Sequence, residues 1–348
     1  MVSITRSCYV NDKLTVAVPF HAGLCRLEMM ESVPHLPKRC PALSDLTSAI
    51  FCILAVSAGC FQLGRRCGRS ASLSRRMASQ LVAMLGMLAY MLFLWNRPRL
   101  TTLLPSSDLI ILGNWLPCWA AFFVGVYLTS PGSGRARKSA LSVLTLLLAT
   151  YSTIAPVIGQ PPECGISDSS ETLTYQTSPY TCSAACATSL LRLYGIEATE
   201  KELTELCLTR EGTHWMGVYR GLKLKTANSE WTVVAEEYSE AAINRNVHTP
   251  SILALNLDVS AFAEHVDHGF QSDTGHSVVC LGNDGRAGVA VFDPSPDYGS
   301  EYWTDSIFRC VRGGVILRLV ARDPKNVATL NTQRRVLTAL RSRNIAGL

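Results

Sequence analysis

Acidic residues are scarce in the first part of this 348-residue chain, where residues 1–159 hold only 5 Asp/Glu against 15 Lys/Arg. Charge of either sign makes up 17% of the sequence and hydrophobic residues 48%. No charge at all interrupts the interiors of four apolar stretches: LTSAIFCILAVSAGCFQL (46–63), LVAMLGMLAYMLFLW (81–95), LIILGNWLPCWAAFFVGVYL (109–128) and ALSVLTLLLATYSTIAPVIG (140–159). A soluble core does not place four such segments so close together. About 20 residues cross the hydrocarbon core, so the third and fourth are long enough and the first two need their flanks.

Other absences narrow the chemistry. There is no Gly-x4-Gly-Lys-Ser/Thr, since GSGRARKS at 132–139 lacks both its spacing and a preceding strand, so no phosphate-binding loop of that kind is expected. There is no HExxH and no Cys pair near a His pair; HVDH, with His265 and His268, stands alone, so no metal or other cofactor is expected. Of 13 cysteines, six lie beyond residue 160, at 164, 182, 186, 207, 280 and 310, and five remain if one stays free, which does not indicate a disulfide framework. Residues 160–320 carry 11 Lys/Arg against 21 Asp/Glu and so repel phosphate backbones, making nucleic acid an unsuitable partner.

What is present divides the chain into an N-terminal tail (1–45), a membrane region (46–159), an acidic domain (160–320) and a basic tail (321–348). The membrane region is expected to hold about four helices, at 46–63, 80–96, 108–129 and 139–159. Loop 64–80 has five arginines and no acid, and loop 130–139 has Arg135, Arg137 and Lys138, whereas loop 96–108 has only Arg97 and Arg99. Basic loops stay in the cytoplasm, so everything after the fourth helix is expected outside it, in a bacterial-type cell membrane. Residues 1–45 are too polar to contain the apolar core of a cleavable signal. The tail LNTQRRVLTALRSRN reads equally as an amphipathic helix on anionic lipid and as a solvated terminus.

The acidic domain reads as α+β, helices first and strands after. Cys182 to Tyr194 is helical with Gly195 as its stop, TEKE at 199–202 is a capping box opening a second helix, and a third starts at Thr213. Strands are expected at 231–238, 251–257, 276–282, 287–293 and 314–320, with NDG at 283–285 as a hairpin turn.

On that frame Cys182 opens a helix, where free N–H groups and the macrodipole favour a thiolate. His276 begins one strand and Asp293 ends the next, so the hairpin brings an imidazole beside a carboxylate. Gln176, six residues before the cysteine, is placed to donate with the Cys182 N–H to an oxyanion. Frequency alone favours a cysteine that serves as a small hydrophobe, and Cys186, one turn on, is expected to be core. His214, beside Trp215, is expected to start a helix or lie at the surface, with lining a cleft as the lesser alternative.

Gln-x5-Cys, GT near 212, GHSVV at 275–279 and FDP at 292–294 together resemble peptidase family C39, a branch of the papain-like cysteine peptidases, over roughly residues 170–320. YWTDSIFRCVRGGVILRLV is similar to the family's closing helix and last strand. The resemblance implies Cys182 as nucleophile, His276 as general base and acid, Asp293 as the group orienting His276, and Gln176 in the oxyanion hole. It implies a peptide or protein substrate and suggests a transporter acting in trans as partner. Ser183 departs from the family, which commonly has Gly after the nucleophile. The best-known members are fused to ATP-driven exporters and trim double-glycine leaders in the cytosol; this chain lacks the nucleotide site. The competing reading is a peptide-binding module with the same cleft and no cleavage.

Overall fold

The structure, a computed structural model, describes residues 41–70, 72–130, 134–165, 171–246, 249–258, 275–282 and 288–323. The NDG turn, His265, His268 and nearly all of both tails lie outside the described residues.

The uncharged stretches form helices α1 (Pro41–Ser70), α2 (Leu73–Phe93), α5 (Leu116–Thr129) and α6 (Arg135–Ile154), with two single turns, α3 (Leu100–Leu103) and α4 (Leu109–Leu112), between α2 and α5. Four spans are long and apolar enough to cross a membrane: Asp45–Arg69, Leu73–Phe93, Leu109–Thr129 and Arg135–Val157. Many of their large apolar side chains, such as Phe51, Leu85, Phe93, Leu147 and Tyr151, point outward, as lipid-facing residues must. The expected loop 64–80 is a correction: it is helical to Ser70 and again from Leu73, so its arginines ride on helix ends. Glycine permits a close crossing of α1 and α5. A Cβ at Gly64 would run into the Phe122 carbonyl oxygen, and one at Gly125 into that of Phe61, so α1 and α5 touch backbone to backbone.

The third stretch is not one helix, as 108–129 was expected to be. Pro117 has no N–H to offer the Gly113 carbonyl four residues back, and the helix breaks between Leu112 and Leu116. The Tyr90 hydroxyl donates to that carbonyl at 2.6 Å instead. Asn114, buried at the break, donates to Ser152 Oγ at 3.0 Å on α6.

The second half begins with helices α7 (Cys182–Leu193), α8 (Glu200–Leu206) and α9 (Trp215–Lys225). Gly195, at φ +73°, ends the α7 turn in the left-handed region that suits glycine. Thr199 Oγ1 accepts from Glu202 N at 3.2 Å and caps α8. The third helix starts two residues later than expected, at Trp215, because His214 is its cap: Nδ1 accepts from Met216 N at 3.2 Å. Burial holds that ring's pKa down to about 4, keeping it a neutral acceptor.

Six strands follow: β1 (Trp231–Glu237), β2 (Ser251–Leu257), β3 (His276–Gly282), β4 (Val289–Asp293), β5 (Gly299–Trp303) and β6 (Val311–Ala321), with α10 (Glu240–Asn246) after β1 and α11 (Asp305–Phe308) before β6. They form one antiparallel sheet in the order β1-β6-β2-β3-β4-β5. The fold is thus α+β behind a helical region. One sheet face (Ile252, Val279, Phe292, Leu317) packs on α7 and α9, the other (Leu253, Val278, Val291, Ile316) on α10, Trp303 and Phe308. Burial on both faces explains the unbroken apolar runs of β3 and β4.

The first of these cores also contains Leu100 and Leu109, both fully buried, from the connection between α2 and α5. Around them Trp215 Nε1 donates to Asn96 Oδ1, and Arg220, 1% exposed at its side chain, faces Asp108 at 4.0 Å. The segment read as loop 96–108 is therefore part of the hydrophobic core that supports the sheet.

Candidate active site

Three of the four residues singled out in the sequence meet at one end of the sheet. Cys182 is the first residue of α7, and Thr181, its N-cap, offers no side-chain cap to the helix N–H groups. Helix α7 is buried from Ser183 to Leu191, so the nucleophile candidate rides on a rigid central rod made narrow by Ala184, Ala185 and Ala187. His276 opens β3 and Asp293 closes β4, neighbouring antiparallel strands. His276 Nε2 lies 2.8 Å from Asp293 Oδ2. The other ring nitrogen, Nδ1, is left to serve the Cys182 sulfur, which hydrogen-bonds the His276 ring and the Ser277 N–H.

The electrostatics follow from this arrangement. Burial pushes the Cys182 thiol up, yet the hydrogen bond and charge of His276, with the Ser277 N–H and Ser183, outweigh it and hold the thiol below its ordinary 9.0. Burial pushes His276 down, but Asp293 and Cys182 together raise it to about 10. Asp293 is fully buried, and bonds from His276 and from Ser295 N, 2.8 Å from Oδ1, keep its pKa low. The shifts all run in the direction of a thiolate beside an imidazolium beside a carboxylate. Burial raises three other thiols of the domain: Cys207 to about 12, Cys280 to about 11, and Cys186 well above 9.0, where the charges of Cys182 and Asp293 add to it. Cys186, fully buried and donating to Ser277 O at 3.2 Å, is the core residue the sequence suggested.

Gln176 reaches the same sheet end by its backbone, its N–H donating to Pro294 O at 2.7 Å. Its side-chain Oε1 is buried and has no hydrogen-bond partner among the described residues. Beside it Tyr175 packs edge-on to Phe292, ring centroids 5.1 Å apart. Two features of the site escaped sequence reasoning. Ser183 Oγ and Ser277 Oγ lie 2.8 Å apart behind the sulfur, and Glu200, 1% exposed, holds Thr177. Only the fold reveals either, because the partners are 94 and 23 residues apart in sequence. Among the described residues no cluster of three or more His, Cys, Asp or Glu suits a metal ion.

No curated protein matches the chain at a significant level. The peptidase domain of Streptococcus ComA, a bi-functional ABC transporter involved in a quorum-sensing pathway, is a solved structure similar to it at 16% identity, covering 42% of this chain and 96% of that one, with a TM-score of 0.35. Residues 170–311, the segment that carries α7 to α11 and the start of β6, match the model of the Peptidase_C39 like family.

Proposed function

We propose that the chain is a membrane-anchored cysteine peptidase. The observation that carries this reading is the ordered set Cys182, His276 and Asp293, with the thiol lowered and the imidazole raised at a helix N-terminus. The Cys182 thiolate attacks the scissile carbonyl carbon; a C–S bond forms and the carbonyl electron pair moves onto oxygen. The Gln176 amide and the Cys182 N–H donate to that oxyanion. On its collapse the C–N bond breaks and His276 gives its proton to the leaving amine. Water then attacks the thioester, losing a proton to His276, and the sulfur departs as thiolate with release of the carboxylic acid. Asp293 stays ionised throughout, orienting the ring and stabilising the imidazolium.

A peptide or protein is the substrate class, and a transport system in trans is the partner class suggested by the family resemblance. The domain faces away from the cytoplasm. Supporting this, Arg65, Arg66, Arg69, Arg75 and Arg76 cluster at the α1–α2 junction and Arg135, Arg137 and Lys138 at the start of α6, while the connection that docks on the domain carries only Arg97 and Arg99.

The test uses the full chain in detergent with a mixed library of fluorogenic peptides. Cleavage that disappears in Cys182→Ala supports the reading. A Cys182 that iodoacetamide labels rapidly, in a protein that cuts nothing, marks a peptide-binding module instead. For sidedness, external protease removes the domain from sealed spheroplasts; digestion only after lysis reverses the topology.

A further inference from the structure

The loop that carries Gln176 is held by an acid outside the Cys182–His276–Asp293 set. Glu200 is 1% exposed at the first position of α8. Thr177 N donates to its Oε1 and Thr177 Oγ1 to its Oε2, each at 2.8 Å. The same Thr177 hydroxyl accepts from Gly165 N at 2.9 Å. No ion pair to Glu200 exists among the described residues; its charge is met by these two donors and by the N-terminal end of the helix dipole. A buried carboxylate held without a cation is costly unless its bonds serve a purpose, and its position is not required for the α8 cap, which Thr199 makes with Glu202.

What the bonds do is fix the two peptide planes on either side of the Gln176 Cα. The Tyr175–Gln176 plane is tied by Gln176 N to Pro294 O, next to Asp293, and the Gln176–Thr177 plane by Thr177 N to Glu200. With both flanking N–H groups committed, the Gln176 side chain leaves the backbone in one direction, its buried Oε1 without a partner among the described residues.

We propose that Glu200 is a positioning residue for the oxyanion donor, a carboxylate clamp that holds the Gln176–Thr177 peptide so that the Gln176 amide meets the oxygen on which charge develops. The proposal rests on the peptidase reading above. It separates two properties of the site. Attack by sulfur on iodoacetamide displaces iodide and builds no oxyanion, so it depends on Cys182, His276 and the groups that set their charge, and not on the oxyanion donor. Attack on a peptide carbonyl needs the donor as well.

The experiment compares wild type, Glu200→Ala, Glu200→Gln, Thr177→Val, Thr177→Ser and Gln176→Ala in the full chain in detergent. Two readouts are taken: kcat/KM on a fluorogenic peptide selected from the library, and the iodoacetamide rate at Cys182 by mass spectrometry from pH 5 to 8. Removing one oxyanion donor costs about 10²–10³ in kcat, so loss of its clamp is expected to lower kcat/KM by about ten- to a hundredfold in Glu200→Ala. Thr177→Val should show a smaller fall and Thr177→Ser none, with Cys182 alkylation within about twofold throughout. Should Glu200→Ala fail to fold, Glu200→Gln keeps the shape and one acceptor and reads the same split. Cleavage by the folded Glu200 variants equal to wild type overturns the clamp, as does a parallel loss of alkylation, which marks general collapse of the site. A wild type that cleaves nothing overturns the peptidase reading itself, before any variant is compared, and the clamp with it.

Discussion

Ser183, the residue after Cys182, and Ser277, the residue after His276, hold each other through their hydroxyls, Oγ to Oγ at 2.8 Å, both buried. This bond joins α7 to β3 directly behind the sulfur and the imidazole. A glycine after the cysteine, common in family C39, has no hydroxyl to make it. Ser183→Ala leaves the Ser277 hydroxyl buried without this partner, at a cost of about 1–3 kcal/mol, whereas Ser277→Ala leaves Ser183 with only the Cys182 sulfur at 4.0 Å and should cost less. The double variant has no orphan, so its loss should be smaller than the sum. Melting temperatures of the full chain in detergent, arranged as a double-mutant cycle, check this; strictly additive losses would show that the hydroxyls do not act as a pair.

The coupled pKa shifts set a pH window. The thiolate of Cys182 persists down to its lowered value and the imidazolium of His276 up to about 10. Alkylation of Cys182 should therefore persist to lower pH than that of a thiol of ordinary pKa, and His276→Ala should move its pH profile upward, because the hydrogen bond and charge that lower the thiol are gone. Cys186, its thiol raised by burial, should alkylate far more slowly at every pH.

Stability has a pH dependence of the same origin. His276 titrates higher in the folded state than its ordinary 6.5, so its contribution is complete below pH 6.5 and is lost as pH rises through about 10. Cys182 titrates lower than its ordinary 9.0, so its contribution is present above pH 9.0 and lost as pH falls through the lowered value. Removing the sulfur in Cys182→Ala takes away one support of the imidazolium. The alkaline loss of stability should then begin at lower pH than in wild type, read from melting temperatures between pH 6 and 10. An unchanged alkaline limb would mean that sulfur and ring do not interact.

Asp293→Asn preserves the shape of the side chain and removes its charge. His276 should titrate lower and peptide cleavage should fall without vanishing, as expected for a carboxylate that orients an imidazole. The ring titration is followed by NMR of labelled histidine and the cleavage by kcat/KM. If Asp293→Ala matches wild type in kcat/KM, Asp293 has no part in the chemistry.

Much of this was legible because the signals are local. The bounds of β2 and β3 can be read to the residue, since short apolar runs end at Asp, Gly and Asn, and the α8 cap is written in TEKE. The neighbourhood of His276 and Asp293 follows from two consecutive antiparallel strands. Non-local causes hid the rest. Strand β5, GSEYW, has neither an apolar run nor an alternating pattern and is held by its register on β4. Glu200 reads as one more charge in a solvated helix until its burial against Thr177 is seen. RPRLTTLLPSSDLIIL (97–112) looks like a polar turn running into a helix, and only α9 shows why its leucines are there.

Those leucines give the fifth prediction. Leu100→Ala and Leu109→Ala empty fully buried positions in the core beneath α7 and α9, and each should destabilise the peptidase domain by about 2–5 kcal/mol. Leu103→Ala, at a side chain 58% exposed, should change little. Loss of near-ultraviolet circular dichroism on heating is the measurement; equal melting of all three variants would detach this connection from the domain.

The shared core also imposes an order on biosynthesis. Leu100 and Leu109 leave the ribosome well before the residues that bury them, among them Leu190, Val218 and Leu222, and α6 is made in between. Until α7 and α9 emerge, the two leucines wait without their seat, and the later helices find an apolar template already anchored by α2 and α5. The domain is thus completed against an earlier part of the same chain, and α7 shares its core with residues made before α6.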